Sequence, residues 1–167
     1  MRLVGSDGTR LELIFVGYES PESENDDWLL TVIRSHSARG NCDMLEAITV
    51  PWQAEEFADW LATIAAGQAS SIVPGHWASF WFLEQVVTFE DVVMQDDMLH
   101  MHIRLVTHGD SWMPSNWKPA ETKEEAQLYR EQMIVDDFDL VVSINEVKAA
   151  AKALRAELAR FPARIIK

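Results

Sequence analysis

Residues 98–107 read Met-Leu-His-Met-His-Ile-Arg-Leu-Val-Thr. Leu99, Met101, Ile103 and Leu105 fall on one parity, and His100, His102 and Arg104 on the other. Side chains of a β-strand alternate between its two faces, so this stretch predicts a strand with one face on a core and one toward water. Upstream, Asp96-Asp97 supplies a turn, and Val86 to Met94 is rich in β-branched residues. The aromatic run from His76 to Phe89 comes before it. Downstream, Ile134 to Val142 predicts a further strand with Phe138, Leu140 and Val142 on its core face.

The N-terminal part carries the same period. Leu11, Leu13 and Phe15 alternate with Glu12, Ile14 and Val16, and the run closes at Ser20-Pro21. Trp28 to Ser37 forms a second strand, with Leu29, Thr31 and Ile33 opposite Leu30 and Val32. Arg39-Gly40-Asn41 reads as a hairpin connection into Cys42 to Val50, where Met44, Glu46 and Ile48 share a face. These strands predict an antiparallel meander.

Two segments change to a helical period. After Thr49 as a candidate cap and Pro51 in the first turn, Phe57, Trp60, Leu61 and Ile64 form one apolar stripe, and Gly67 stops it. Ser143-Ile144-Asn145-Glu146 matches the capping box. Val147, Ala151, Leu154, Leu158 and Phe161 then follow at steps of four and three before Pro162. The fold class expected is α+β: an antiparallel β-sheet or split β-sandwich of six to eight strands, with two main helices packed on it. Residues 1–167 are expected to form a single globular domain, since the chain has neither a repeat nor a linker-like stretch.

Charge narrows the function classes. The 167 residues carry 14 Lys+Arg against 27 Asp+Glu, a net charge of −13. Sustained contact with nucleic acid is disfavoured, because phosphate binding needs clustered cations. Of the six cations after residue 147, Lys148, Lys152, Arg155, Arg160 and Arg164 lie on or just after the last helix, where they suit its C-terminal dipole. No window approaches the roughly 20 apolar residues of a membrane span. Met1 to Gly17 has no apolar run of the secretory type, and Cys42 is the single cysteine, so a cytoplasmic setting is expected.

Candidate chemistry is sparse. His100-x-His102 projects two imidazoles to one face, the spacing of a strand-borne metal site, although Arg104 beside them would repel a cation. Paired carboxylates at Asp26-Asp27, Glu90-Asp91, Asp96-Asp97 and Asp136-Asp137 read as turn formers and solvated edges. Glu84, inside an aromatic run, reads as a structural hydrogen-bond anchor ahead of the other reading, a functional acid. Trp112 and Trp117 lie in the segment from His108 to Glu125, which is read as a long loop, and there exposed aromatics would mark a contact surface. Cys42 has no activating neighbour, and no phosphate-binding loop, nucleophile elbow or H-E-x-x-H motif is present.

Several landmarks taken in order resemble the WapI-like immunity proteins of bacterial polymorphic toxin systems. They are Asp27-Trp28-Leu29 opening a strand, F-x-x-W-L at Phe57, Trp60 and Leu61, and F-x-E from Phe82 to Glu84 leading into Thr88-Phe89-Glu90. A long strand and a last helix ending in Phe161-Pro162 complete the order. The resemblance implies a non-catalytic protein, without cofactor or metal, that binds a toxin made by the same cell. The partner-binding residues expected are the acidic Glu22, Glu24, Asp26, Asp27, Asp96 and Asp97, with Trp112 and Trp117 as anchors. Two other classes stand beside this reading: a small metal-dependent hydrolase centred on His100 and His102, and a cytoplasmic homo-oligomer.

Overall fold

The computed structural model describes residues 1–22, 27–67, 78–82, 86–107 and 134–163. Among the described residues, eight strands form two four-stranded antiparallel sheets. In the first, β1 (Arg2–Val4), β2 (Arg10–Tyr18), β3 (Leu29–Ser37) and β4 (Gly40–Thr49) lie side by side in chain order. In the second, β5 (Ala78–Trp81), β6 (Val87–Gln95), β7 (Met98–Val106) and β8 (Ile134–Ser143) do the same. Helix α1 (Pro51–Ala65) follows β4, and α2 (Ile144–Leu158) follows β8. The expected α+β class is observed, as two antiparallel sheets with two helices among the described residues. The short β1, which the sequence reading did not separate out, pairs with β2 through Leu3↔Leu11.

Hairpin chemistry sets the registers. Ser37 pairs with Gly40, so the β3–β4 loop is only Ala38-Arg39, and Gly40 already belongs to the strand. Its φ of +130° is one that a side chain would resist. Between β6 and β7, Asp96 and Asp97 take φ of +50° and +60°. Two successive positive angles match the right-handed strand twist, and aspartate tolerates them better than most residues.

The alternation in β7 holds residue by residue. Leu99, Met101, Ile103 and Leu105 are buried, as are Leu11, Leu13 and Phe15 of β2, and Leu29, Thr31 and Ile33 of β3. The inward faces of both sheets join the helix stripes in one core. At its aromatic centre, the Phe57 ring of α1 lies 4.7 Å from Phe80, 4.9 Å from Phe82 and 4.8 Å from Phe89. Val147, Ala151, Leu154, Leu158 and Phe161 are all buried, as their spacing requires.

The helix caps divide. Ser143 Oγ accepts from the Glu146 N–H at 3.2 Å, as the capping box expects. The N-cap of α1 is Val50, and Thr49 instead hydrogen-bonds Gln53 Oε1 at 2.9 Å. That is a correction: Thr49 lies one residue too early to reach the free amides of the first turn. Farther along α2, Glu157 Oε1 accepts from the Phe15 N–H at 2.8 Å, and Oε2 from the Met1 amino group at 3.0 Å. The second helix is thereby tied to the first sheet.

A buried polar joint links the sheets. The Asp136 carboxylate on β8 accepts from Ser35 Oγ at 2.5 Å and Ser37 Oγ at 3.0 Å on β3, and from the Asp137 N–H at 3.0 Å. Asp136 was expected at a solvated edge, yet it is 3% exposed. Three donors satisfy it, which is what a buried carboxylate requires.

Candidate functional site

Each sheet turns its other face outward, and the registers decide what those faces carry. On the first sheet, Arg2, Glu12, Arg34 and Asp43 fall in one row across all four strands. Charge alternates along that row. Arg2 Nε lies 3.2 Å from Glu12 Oε1, and Arg34 Nε lies 3.3 Å from Asp43 Oδ1. Ile14, Val32 and Leu45 form the row two residues further on. Leu45 is 55% exposed and Val16 49%. Cross-strand neighbours of this kind stabilise a sheet, but so much open apolar surface beside ordered charge is also what a contact surface presents.

The second sheet is charged on its outward face. His102 stands between Glu90 of β6 and Asp139 of β8, and Arg104 between Thr88 and Asp137. His102 Nδ1 lies 2.9 Å from Asp139 Oδ1, and Nε2 lies against Asp137 Oδ1 in a close ion-pair contact that lacks hydrogen-bond alignment. Arg104 NH1 is 3.8 Å from Glu90 Oε2, and Arg104 Nε is 3.9 Å from Asp137 Oδ2. Burial disfavours the His102 charge, but the Asp139 hydrogen bond and the charges of Asp137 and Asp139 outweigh it, so its pKa rises.

The two histidines therefore share a face, as their spacing predicts, but have different surroundings. His102 is engaged by two aspartates, while His100 is exposed beside Val93 and Val141. Among the described residues, no group of three or more His, Cys, Asp or Glu is placed to hold a metal ion. Cys42 is a half-buried thiol on β4. Burial first, then the charges of Asp136 and Asp43, push its pKa up and disfavour the reactive thiolate.

The expected partner-binding residues are distributed as follows. Asp96 and Asp97 are exposed at the tip of the β6–β7 hairpin, and Glu22 is exposed in the turn after β2. They belong to different sheets. Asp27 is 4% exposed, so its carboxylate is not part of the acidic surface. Glu24, Asp26, Trp112 and Trp117 lie outside the described residues, as do Glu84 and the whole segment from His108 to Glu125.

A groove of about 580 Å³ opens where α1 meets α2, lined by Trp52, Glu55, Asp59, Arg155, Leu158 and Phe161. The Arg155–Asp59 ion pair, 2.5 Å between NH2 and Oδ1, crosses it. It is an open groove, with a polar pair bridging its rim. No helix among the described residues is long and apolar enough to cross a membrane.

The row of charges on the first sheet was not read from the sequence. Its signal was there: Glu12, Arg34 and Asp43 each occupy the outward parity of their strand, and the Ala38-Arg39 hairpin fixes how two of them align. What the sequence could not supply was the β2–β3 register, which spans a longer connection.

No curated protein matches the chain. The model of the immunity protein WapI-like family matches residues 2–162, all but the first residue and the last five. With the divided antiparallel fold and the landmarks already quoted, that match places the chain: it belongs to the WapI-like family of immunity proteins.

Proposed function

We propose that this protein is a non-catalytic acidic binding module that docks on a toxin domain in the cytoplasm and neutralises it. The family match over residues 2–162 carries the reading. The net charge of −13 supports it, because an acidic surface steers a basic partner into encounter and raises the association rate. Glu22, Asp96 and Asp97, exposed on separate sheets, contribute to that field. Glu24, Asp26, Trp112 and Trp117 complete the proposed contact set. Residues 1–167 act as one unit, and inhibition comes from occupying the partner rather than from bond-breaking.

Co-expression tests this. A toxin domain identified among the genes beside this one is induced in a sensitive host, with and without the protein. Growth restored by the protein, and lost when it is omitted, is the expected result. Equal killing in both cultures, with both proteins present and soluble, contradicts the proposal.

A further inference from the structure

The outer edge of β4 ends the first sheet, and no described strand pairs with it. An unpaired strand edge exposes a ladder of N–H and C=O groups, and native proteins commonly blunt such an edge with a short strand, lysine or proline. β4 has none of these devices. It runs for ten residues, Gly-Asn-Cys-Asp-Met-Leu-Glu-Ala-Ile-Thr, without a lysine, arginine or proline.

The hairpin fixes which groups face outward. In a two-residue hairpin the closing pair, here Ser37 and Gly40, exchanges both backbone bonds, and bonded and non-bonded pairs then alternate. Asn41, Asp43 and Leu45 are therefore non-bonded partners of His36, Arg34 and Val32, and they turn their backbone groups toward the open edge. Their side chains lie on the outward face. The residues offering backbone bonds are thus the ones that offer an exposed carboxylate and an exposed leucine.

The charge row tells what fits beside them. It runs Arg2, Glu12, Arg34, Asp43 across four strands and stops on an anion whose side chain is 75% exposed. The position that continues the alternation is a cation. The adjacent row, Ile14, Val32, Leu45, continues with an apolar side chain. Residues opposite Asp43 and Leu45 on an added strand would be two apart in sequence and on one face. We infer that the β4 edge binds an extended segment of a partner protein by strand addition, the segment carrying Lys or Arg against Asp43 and an apolar residue two positions away against Leu45. A second copy pairing β4 against β4 does not meet the requirement, because β4 holds Asp43 and Glu46 and no cation to offer in return.

This deepens the protein-binding reading by naming the recognition element, and it is tested apart from any toxin. The full chain is titrated with a short blocked peptide alternating threonine and valine around one central lysine, and with a twin that has glutamate in place of the lysine. Amide hydrogen exchange and peptide fluorescence anisotropy are followed. Protection of the Asn41, Asp43 and Leu45 amides is expected, with the lysine peptide bound about threefold tighter than its twin, the scale of one exposed ion pair. Asp43→Lys, a surface change whose fold is checked by circular dichroism, is expected to reverse the preference. Equal binding of the twins, protection elsewhere, an unchanged preference in Asp43→Lys, or self-association through β4 overturns the inference. A failed growth rescue with intact peptide selectivity counts against the immunity reading and leaves the edge site standing.

Discussion

Asp136 of β8 and Ser35 of β3 join the two sheets through a buried hydrogen bond of 2.5 Å. Ser37 and the Asp137 amide complete the shell around the same carboxylate. The joint lies next to both outward faces: Arg34 of the first charged row precedes Ser35 on β3, and Asp137 follows Asp136 on β8.

Removing the acceptor leaves two hydroxyls and an amide without their partner. Asp136→Ala is expected to lower the unfolding free energy by about 2–4 kcal/mol, on the scale of buried donors left unsatisfied. Urea denaturation followed by tryptophan fluorescence measures it. A loss under about 0.5 kcal/mol, the range of ordinary surface changes, would show that the joint carries no weight.

Phe57 is the hub of the aromatic core, in ring contact with Phe80, Phe82, Phe89 and Trp60. Phe57→Ala is expected to cost about 3–5 kcal/mol, from lost burial together with the cavity left behind. Phe57→Leu, which keeps most of the volume, should cost clearly less. Equal losses in the two variants would mean that ring contact, not filled space, is what matters there.

His102 titrates above its ordinary value because Asp139 and Asp137 hold its charged form against the cost of burial. The sign follows from linkage. A histidine whose folded pKa is raised adds stability that is fully present below the unfolded value of about 6.5 and is lost as pH rises through the folded value. An NMR titration of the His102 ring is expected to give a midpoint above that value, and Asp139→Asn should lower it. The stability difference between wild type and Asp139→Asn should shrink as pH rises past the midpoint. A difference that grows instead would reverse the assignment.

Cys42, on β4, offers a chemical check on the first sheet. Burial and two nearby carboxylates hold its thiol above the usual range. At mildly alkaline pH it should react with a disulfide reagent more slowly than a free cysteine, because less thiolate is present. Asp43→Asn should speed the reaction modestly. A rate above that of free cysteine would contradict the electrostatic picture.

Legibility in the sequence tracked the range of the interaction. The alternation in β7, the stripe of α2 and the Ser143 cap depend on neighbours within a few residues, and each was readable before any register was known. The burial of Asp136 was not, since its donors Ser35 and Ser37 lie 101 and 99 residues away. Asp136-Asp137 looks the same in sequence as the hairpin pair Asp96-Asp97, yet one pair joins two sheets and the other turns a corner. The charge row escaped for a related reason: it exists only once three strand registers are fixed together. The acidic character of the candidate surface was plain from composition, whereas Asp27 shows that composition does not say which carboxylates reach water.

Stopped-flow association of the purified protein with a toxin domain identified among the neighbouring genes, at low and high salt, tests the docking claim most directly. The account expects a stable complex whose association rate falls by about tenfold or more as salt screens the acidic surface, with no chemical change in either chain. No complex, or a toxin inactivated by covalent alteration, would contradict it.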